Sequence, residues 1–433
     1  MLLLLPLLGA AQPNPDLRQI VERIERLERE NQSLKEEVRA LREQIAASVT
    51  PVQERVDVHE SRIEEQAQSK VEAAQRFPIR ITGMLLANAF LNSKQNAGVD
   101  NPTIASQARA NAAGGATLRQ TVLGFEYHGP QTLWNGQVRG SLFLDFFGGG
   151  AASLPLNNLP RIRTASLAVD WRSSTLLVGQ EKPLFSPRDP DSLAQVGVSP
   201  LTGSGNLWLW EPQARFEQRF KMGERAGVKA QVALVQTTET SAAVPANFAA
   251  TLERYRPGLE GRLELATSVG SSGRIEIAPG FHTSTTHVAG TSVPSRVISI
   301  DWLISPVERL QFTGAAWSGQ DVAHFGVGAI RQGFTVLGNR SVIPVHSQGG
   351  WGQLKIRATD RLSFHLLHGL HDDRNQDLRF GGIARNQSWG ANFFYRLAPN
   401  VIFSFETLQL RTTYLGAGRR LNNHYDLGFA YLF

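Results

Sequence analysis

The chain has 433 residues, 42% of them hydrophobic, with 40 Gly, 22 Phe and no Cys. That length holds two or three ordinary domains or one large barrel; the missing cysteines exclude disulfides, thiolate metal sites and a cysteine nucleophile, and after the first dozen residues no apolar run is long enough for a spanning helix. The net charge of +6 is shared unevenly: Asp16–Arg76 holds 11 basic and 14 acidic residues against 33 and 24 elsewhere, and arginines scattered singly among Gly, Phe and Val argue against nucleic-acid binding.

In chain order, MLLLLPLLGAAQPNP has a short apolar core followed by small residues at Gly9, Ala10 and Ala11, the pattern of a signal peptide over residues 1–11 with cleavage near Ala11. It lacks a positive n-region, so a truncated start is expected. Residues 16–76 then read as a coiled coil and linker. Leu17, Ile20, Ile24, Leu27, Leu34, Val38, Leu41 and Ile45 follow a heptad seam whose single gap is Asn31, and the flanking positions are nearly all Glu and Arg. Such a helix has no second face to bury and must pair with copies of itself, with Asn31 setting register. The mixture of Ile and Leu at the seam leaves the oligomer number open.

From Phe77 to Phe433 the period switches to two. QVRGSLFLDFFGG opposes Val138, Leu142 and Leu144 to Arg139, Ser141 and Asp145; GQLKIRA opposes Leu354 and Ile356 to Gln353, Lys355 and Arg357. At the end of the chain Tyr425, Leu427, Phe429, Tyr431 and Phe433 share one face and Asp426, Gly428, Ala430 and Leu432 the other. About sixteen such segments occur, and their connections alternate in length. Short turns (RSS, GSSG, TDR, APN) alternate with long polar or Gly-rich stretches at Asn92–Gly115, Gly148–Pro160, Ser186–Asn206, Thr238–Ala250, near His287, Ser318–Gly349, Asp372–Gly382 and Thr413–Asn423. Short turns on one rim, long loops on the other and an apolar face on every strand describe an all-β antiparallel transmembrane barrel of even strand number. Trp134, Trp171, Trp302 and Tyr395 beside short turns, and Trp317 and Trp351 beside one long loop, are expected to form aromatic girdles in the lipid.

The coil, the sixteen-strand rhythm and the segment LLVGQEKPLFSPRDPDSLAQVGVSPLTGSGNLWLWEPQARFEQRF together resemble trimeric outer-membrane porins, among them the dicarboxylate-type (DcaP-like) porins and the phosphate-selective porins O and P. The resemblance implies a homotrimer in the bacterial outer membrane with its coil in the periplasm, and a passive diffusion channel for small hydrophilic solutes. A C-terminal Phe433 after alternating aromatics is similar to the signal read by the barrel assembly machinery. With only seven lysines, the Lys-lined path of the phosphate porins does not carry over.

In such porins the loop after the fifth strand narrows the lumen. Here that loop is Ser186–Asn206, with Arg188, Asp189 and Asp191 near its start and Arg215, Glu217 and Arg219 expected to face it. Inward positions carry Arg139, Arg215, Arg219, Lys229, Arg262, Arg274, Arg309, Lys355, Arg357 and Arg396 against Glu126, Asp145, Glu217, Glu260, Glu264, Glu276, Asp301 and Glu406. Ten against eight predicts a modest preference for small anionic solutes.

Two other classes are weighed against transport. A barrel hydrolase needs Ser, His and a carboxylate or carboxamide on adjacent strands; His365, His368 and His371 have a spacing that alternation cannot put on one face, no G-x-S-x-G is present, and they read as a solvated loop edge. The same spacing argues against a metal site there, and no cofactor motif is seen. Alternatively the coil tethers the membrane to peptidoglycan and the barrel only anchors it.

Overall fold

The computed structural model describes residues 79–96, 100–108, 110–131, 133–149, 158–239 and 244–433, together with helical residues 22, 23, 26, 30 and 32–38. Leu34 and Val38, two seam positions, lie on that helix and are exposed. The signal peptide, Asn31 and the rest of residues 16–76 lie outside the described residues.

The remainder forms one closed antiparallel sheet. Its strands are β1 (Ile79–Asn92), β2 (Ala113–Thr117), β3 (Val122–Gln131), β4 (Gln137–Asp145), β5 (Arg161–Asp170), β6 (Ser174–Glu181), β7 (Glu211–Met222), β8 (Ala226–Thr238), β9 (Tyr255–Val269), β10 (Gly273–Val288), β11 (Thr291–Val307) and β12 (Leu310–Gln320). After a small hairpin, β13 (Phe334–Val336) with β14 (Val342–Pro344), the wall continues with β15 (His346–Arg357), β16 (Leu362–Asp373), β17 (Ile383–Ala398), β18 (Val401–Tyr414) and β19 (Gly418–Leu432). Each wall strand pairs with its neighbours in sequence, and β1 closes the ring on β19 with Leu85 opposite Tyr431. Both β2 and β3 pair with β1, so they are two halves of one interrupted strand and the wall has sixteen positions. Closure leaves no edge strand and satisfies the ladder all round.

Alternation decides which face is which. On β19, Tyr425, Leu427, Phe429 and Tyr431 are exposed on the outside while Asp426, Gly428 and Ala430 are buried within. The same outward apolar set recurs around the ring, for example Val178, Phe216, Leu234, Ile298, Phe312, Ile356, Phe364 and Leu366. In water this belt would be an aggregation hazard; against hydrocarbon it is the favourable face.

Four expectations need correction. The stretch near His287 is not a long loop: β10 and β11 are joined by Ala289 and Gly290 alone, both at positive φ, as a two-residue hairpin requires. Nor is Thr413–Asn423, where only residues 415–417 separate β18 from β19. The first stretch is polar on both faces (His282, Ser284 and Thr286 inside; Thr283, Thr285 and His287 outside) and the second is rich in Gly, Arg and Asn, so strands rising past the apolar belt imitate loops. Trp317 and Trp351 do not form a girdle: both are buried inside the barrel, and Trp317 Nε1 donates to the Gly205 carbonyl at 2.8 Å. Finally, His365, His368 and His371 belong to β16, not a loop edge. His365 and His371 are buried inside, and His368 stacks on Trp389 with ring centroids 3.8 Å apart.

Candidate functional site

Residues 182–210, between β6 and β7, fold into the barrel. The segment KPLFSPRDPDSLAQVGVSPLTGSGN carries prolines at 183, 187, 190 and 200, which lack the N–H a ladder needs, and glycines at 197, 203 and 205. Unable to continue as strand, its backbone groups are satisfied by polar side chains on the inner face of the wall.

The loop makes a circuit of that wall. At β9–β11 the Leu184 N–H donates to Glu260 Oε2, and Ser299 Oγ donates to the Phe185 carbonyl, both at 2.7 Å. Arg188 then reaches Asp301 at 2.5 Å and Glu276 at 2.6 Å, with Glu264 at 3.8 Å. On β15 and β17, Asp191 N–H donates to Gln353 Oε1, and its carbonyl accepts from Gln353 Nε2 and Asn392 Nδ2, all at 3.0 Å. Ser192 Oγ donates to Glu406 on β18 at 2.6 Å, and Asn88 Nδ2 on β1 donates to the Leu193 carbonyl at 2.8 Å. The break between β2 and β3 supplies Gln120, whose Oε1 accepts from the Val196 and Gly197 N–H groups at 2.7 and 2.8 Å. The chain then turns back to β17, where Ser204 Oγ lies 2.6 Å from Ser388 Oγ and Asn386 Nδ2 donates to the Gly203 carbonyl at 2.8 Å. Gly205 sits at φ +94 against the backbone of Gly350 and Leu370, a conformation and an approach that a side chain forbids.

Several ion pairs of the inner wall have the acid set behind the base. Asp145 is fully buried and holds Arg161 at 2.6 Å and Arg163 at 3.3 Å, whose side chains are 27% and 19% exposed. Glu276 is 7% exposed against 62% for its partner Arg274. Lys229 is 30% exposed and reaches Glu264, itself 11% exposed, at 3.3 Å. Asp301, 1% exposed, is held by Arg262 at 2.7 Å as well as by Arg188. Two carboxylates of the loop are level with their partners: Asp189 pairs with Lys182 and accepts from Ser199 Oγ at 2.8 Å, and Asp191 lies 3.6 Å from Lys355 Nζ.

The remaining expected residues fall nearer the short-turn rim. Glu217 lies 3.5 Å from Arg215 and 3.7 Å from Arg219, and Arg219 donates to Thr175 Oγ1 at 3.0 Å and to the Trp171 carbonyl at 3.2 Å. Arg139 pairs with Asp170, and Arg357 follows Lys355 by two residues on the inner face of β15. The groups that meet Arg188 are thus the β9–β11 carboxylates rather than the β7 charges. Sequence reasoning missed Arg161, Arg163 and Lys182. The first two had a readable signal: in RIRTASLAVD a spacing of two puts both on one face, and they lie 5.2 and 4.9 Å from the ring of Trp210.

One further arrangement lies on β9 and β10. His282 Nδ1 is 2.9 Å from Glu260 Oε1, and His282 Nε2 is 2.9 Å from Ser284 Oγ. This is the geometry of a Ser–His–Glu chain. Ser284 is buried and also receives Arg256 Nε at 3.3 Å, and the Phe325 ring packs edge-on to His282 with centroids 4.7 Å apart.

No protein-family model matches the chain, and no curated protein sequence matches it. Solved structures do. The outer membrane channel DcaP of Acinetobacter baumannii superposes with a TM-score of 0.65 at 15% identity, over 82% of this chain and 97% of that one. Its fold is that of the porin barrels. An anion-selective porin from Comamonas acidovorans (TM-score 0.55, 12% identity, 82% and 99% of the two chains) shares this porin barrel. So does OprB of Pseudomonas putida (0.53, 8%, 85% and 97%).

Proposed function

We propose that the protein is an outer-membrane porin: a passive diffusion channel for small hydrophilic solutes with a mild preference for anions such as dicarboxylates or phosphate, without catalytic chemistry. In this reading it works as a homotrimer with residues 16–76 as a periplasmic coil. The belt of outward apolar side chains and the closed ladder support insertion in lipid, where every backbone group needs an internal partner. The observation that carries the anion preference is the layering of charge. Cations at Arg161, Arg163, Lys229 and Arg274 stand in front of carboxylates that are 0–11% exposed, so the surface a solute meets is positive although the inward count is nearly balanced. That one fold relative is named an anion-selective porin and another an outer membrane channel agrees with this reading.

The test is single-channel recording of purified protein in a planar bilayer under a salt gradient. Conductance steps in threes with a reversal potential of anion sign are expected. A silent bilayer from protein shown to be folded and inserted would overturn the channel, and a cation-sign potential would overturn the selectivity.

The Ser284–His282–Glu260 chain favours a second reading, a hydrolase. It requires buried Ser284 to become accessible, for example by the Phe325 segment lifting off His282. A fluorophosphonate probe decides it: labelling that disappears in Ser284→Ala supports the enzyme, and an unlabelled folded barrel removes it.

A further inference from the structure

Where the chain leaves β8 and β12, three side chains able to ligate metal converge away from the charged ring. They are Glu239, Asp321 and His324, one donor atom from each lying within 4.8 Å of the other two, and they are the one such group among the described residues. All three are buried.

The imidazole is what sets this cluster apart from an ordinary ion-pair network. The His324 side chain is 1% exposed, yet neither ring nitrogen has a hydrogen-bond partner, and Glu239 Oε2 stands off at 3.8 Å from Nδ1. The other deeply buried histidines differ: His282, His365, His371 and His424 each have a ring nitrogen within 3.0 Å of a side-chain oxygen. Buried polar atoms are rarely left without partners. Asp321 Oδ1 is likewise without one, and the residue packed against it is Gly333, where a Cβ would collide with that oxygen. Arg256 lies 3.4 Å from Glu239 Oε2 and 3.4 Å from Asp321 Oδ2, so it leaves the second oxygen of Asp321 and both nitrogens of His324 to another partner.

We propose that Glu239, Asp321 and His324 bind a divalent cation of the zinc class. Two bonds of about 2.0–2.2 Å span at most about 4.4 Å, so the 3.8 Å between Glu239 Oε2 and His324 Nδ1 admits an ion between them. One imidazole with two carboxylates suits Zn²⁺, Co²⁺ or a neighbouring first-row ion better than Ca²⁺ or Mg²⁺, which take oxygen donors. Burial, and next the nearby Arg256 charge, push the His324 imidazole well below its usual range, which keeps it in the neutral form that a metal needs.

The ion would join the end of β8 to the segment after β12. That segment packs against the loop of residues 182–210: Phe325 lies edge-on to Phe185 with centroids 4.8 Å apart, and the Trp208 backbone N–H donates to the Phe325 carbonyl at 3.0 Å. The site is therefore a staple behind residues 182–210.

The test uses the full-length protein in detergent, stripped with a chelator and titrated with Co²⁺ and then Zn²⁺. Bound metal is counted per chain by elemental analysis, and Co²⁺ is followed by its visible absorption. One ion per chain is expected. Affinity should fall at least tenfold in His324→Gln and in Asp321→Asn, and stay unchanged in His287→Ala and His346→Ala, which remove exposed histidines paired with carboxylates. Heat-modified gel mobility confirms that each variant is a folded barrel; if Asp321→Asn does not fold, His324→Gln alone carries the comparison. Failure of the wild type to retain metal, or equal binding by His324→Gln, would overturn the proposal, as would loss of binding only in the two surface controls.

Discussion

Arg188 offers a direct test of what holds the inward loop, residues 182–210, in place. Its guanidinium is 14% exposed and reaches Asp301 and Glu276 at 2.5 and 2.6 Å. In Arg188→Ala each carboxylate keeps one other cation: Asp301 retains Arg262, and Glu276 retains Arg274. Breaking a buried ion pair costs about 3–5 kcal/mol when a charge is left alone, and these compensations put the loss at the low end, about 3 kcal/mol. The pinned segment should therefore open about a hundredfold more often, while the wall, whose ladder is untouched, stays folded. Hydrogen exchange reads this locally, because the Leu184 and Asp191 N–H groups are bonded to Glu260 Oε2 and Gln353 Oε1. Both should exchange about a hundredfold faster in the variant, and single-channel current should become larger and noisier. Unchanged exchange at both amides would show that the backbone bonds hold the loop without Arg188, and would refute the assignment of that residue as the pin.

Removing the cations in front of Asp145, in Arg161→Ala with Arg163→Ala, should lower the anion preference read from the reversal potential; Arg215→Ala with Arg219→Ala, nearer the short-turn rim, should lower it less. The reverse order would move the filter to β7. Leu427→Arg places a charge on the outward face of β19, opposite Ala89 and Phe405, and should cost about 2–4 kcal/mol if it meets the middle of a bilayer, seen as reduced folding yield into vesicles. Burial, and next the Glu239 charge, hold the Asp321 carboxyl well above its usual range. A raised carboxyl stabilises the folded loops at low pH and loses that contribution as pH climbs from the ordinary carboxylate range through the raised value. In chelator, loop protection should thus fall with rising pH more steeply in the parent than in Asp321→Asn; parallel profiles would contradict it. Deleting Asp16–Ile45 should weaken the trimer on native gels and leave a folded monomer barrel, whereas loss of the barrel itself would show that the coil is not a separate module.

Much of the wall was legible because its two sides differ. Every strand turns an apolar face outward, so the period of two in YDLGFAYLF names the outward residues without a structure. Loop lengths named most of the long-loop rim, the turns at residues 289–290 and 415–417 excepted, and Ser186–Asn206 was legible as a loop. The reading failed where the rule lapses. Above the apolar belt His282–His287 is polar on both faces and still strand, and Trp317 and Trp351 point inward, where Trp317 bonds the loop at Gly205.

What the loop touches could not be read locally. Arg188 meets Asp301 across 113 residues of sequence, and Ser192 meets Glu406 across 214. Alternation says only that those acids point inward; which of them lies under a given cation depends on strand tilt, the break at Gln120 and the path of residues 182–210. The layering of base over acid and the meeting of Glu239, Asp321 and His324 are properties of that path. The pattern along each strand came from the chain, because the solvent on its two sides differs. The pairing of charges across the lumen came from closure, because only the closed ring brings distant strands to face one another.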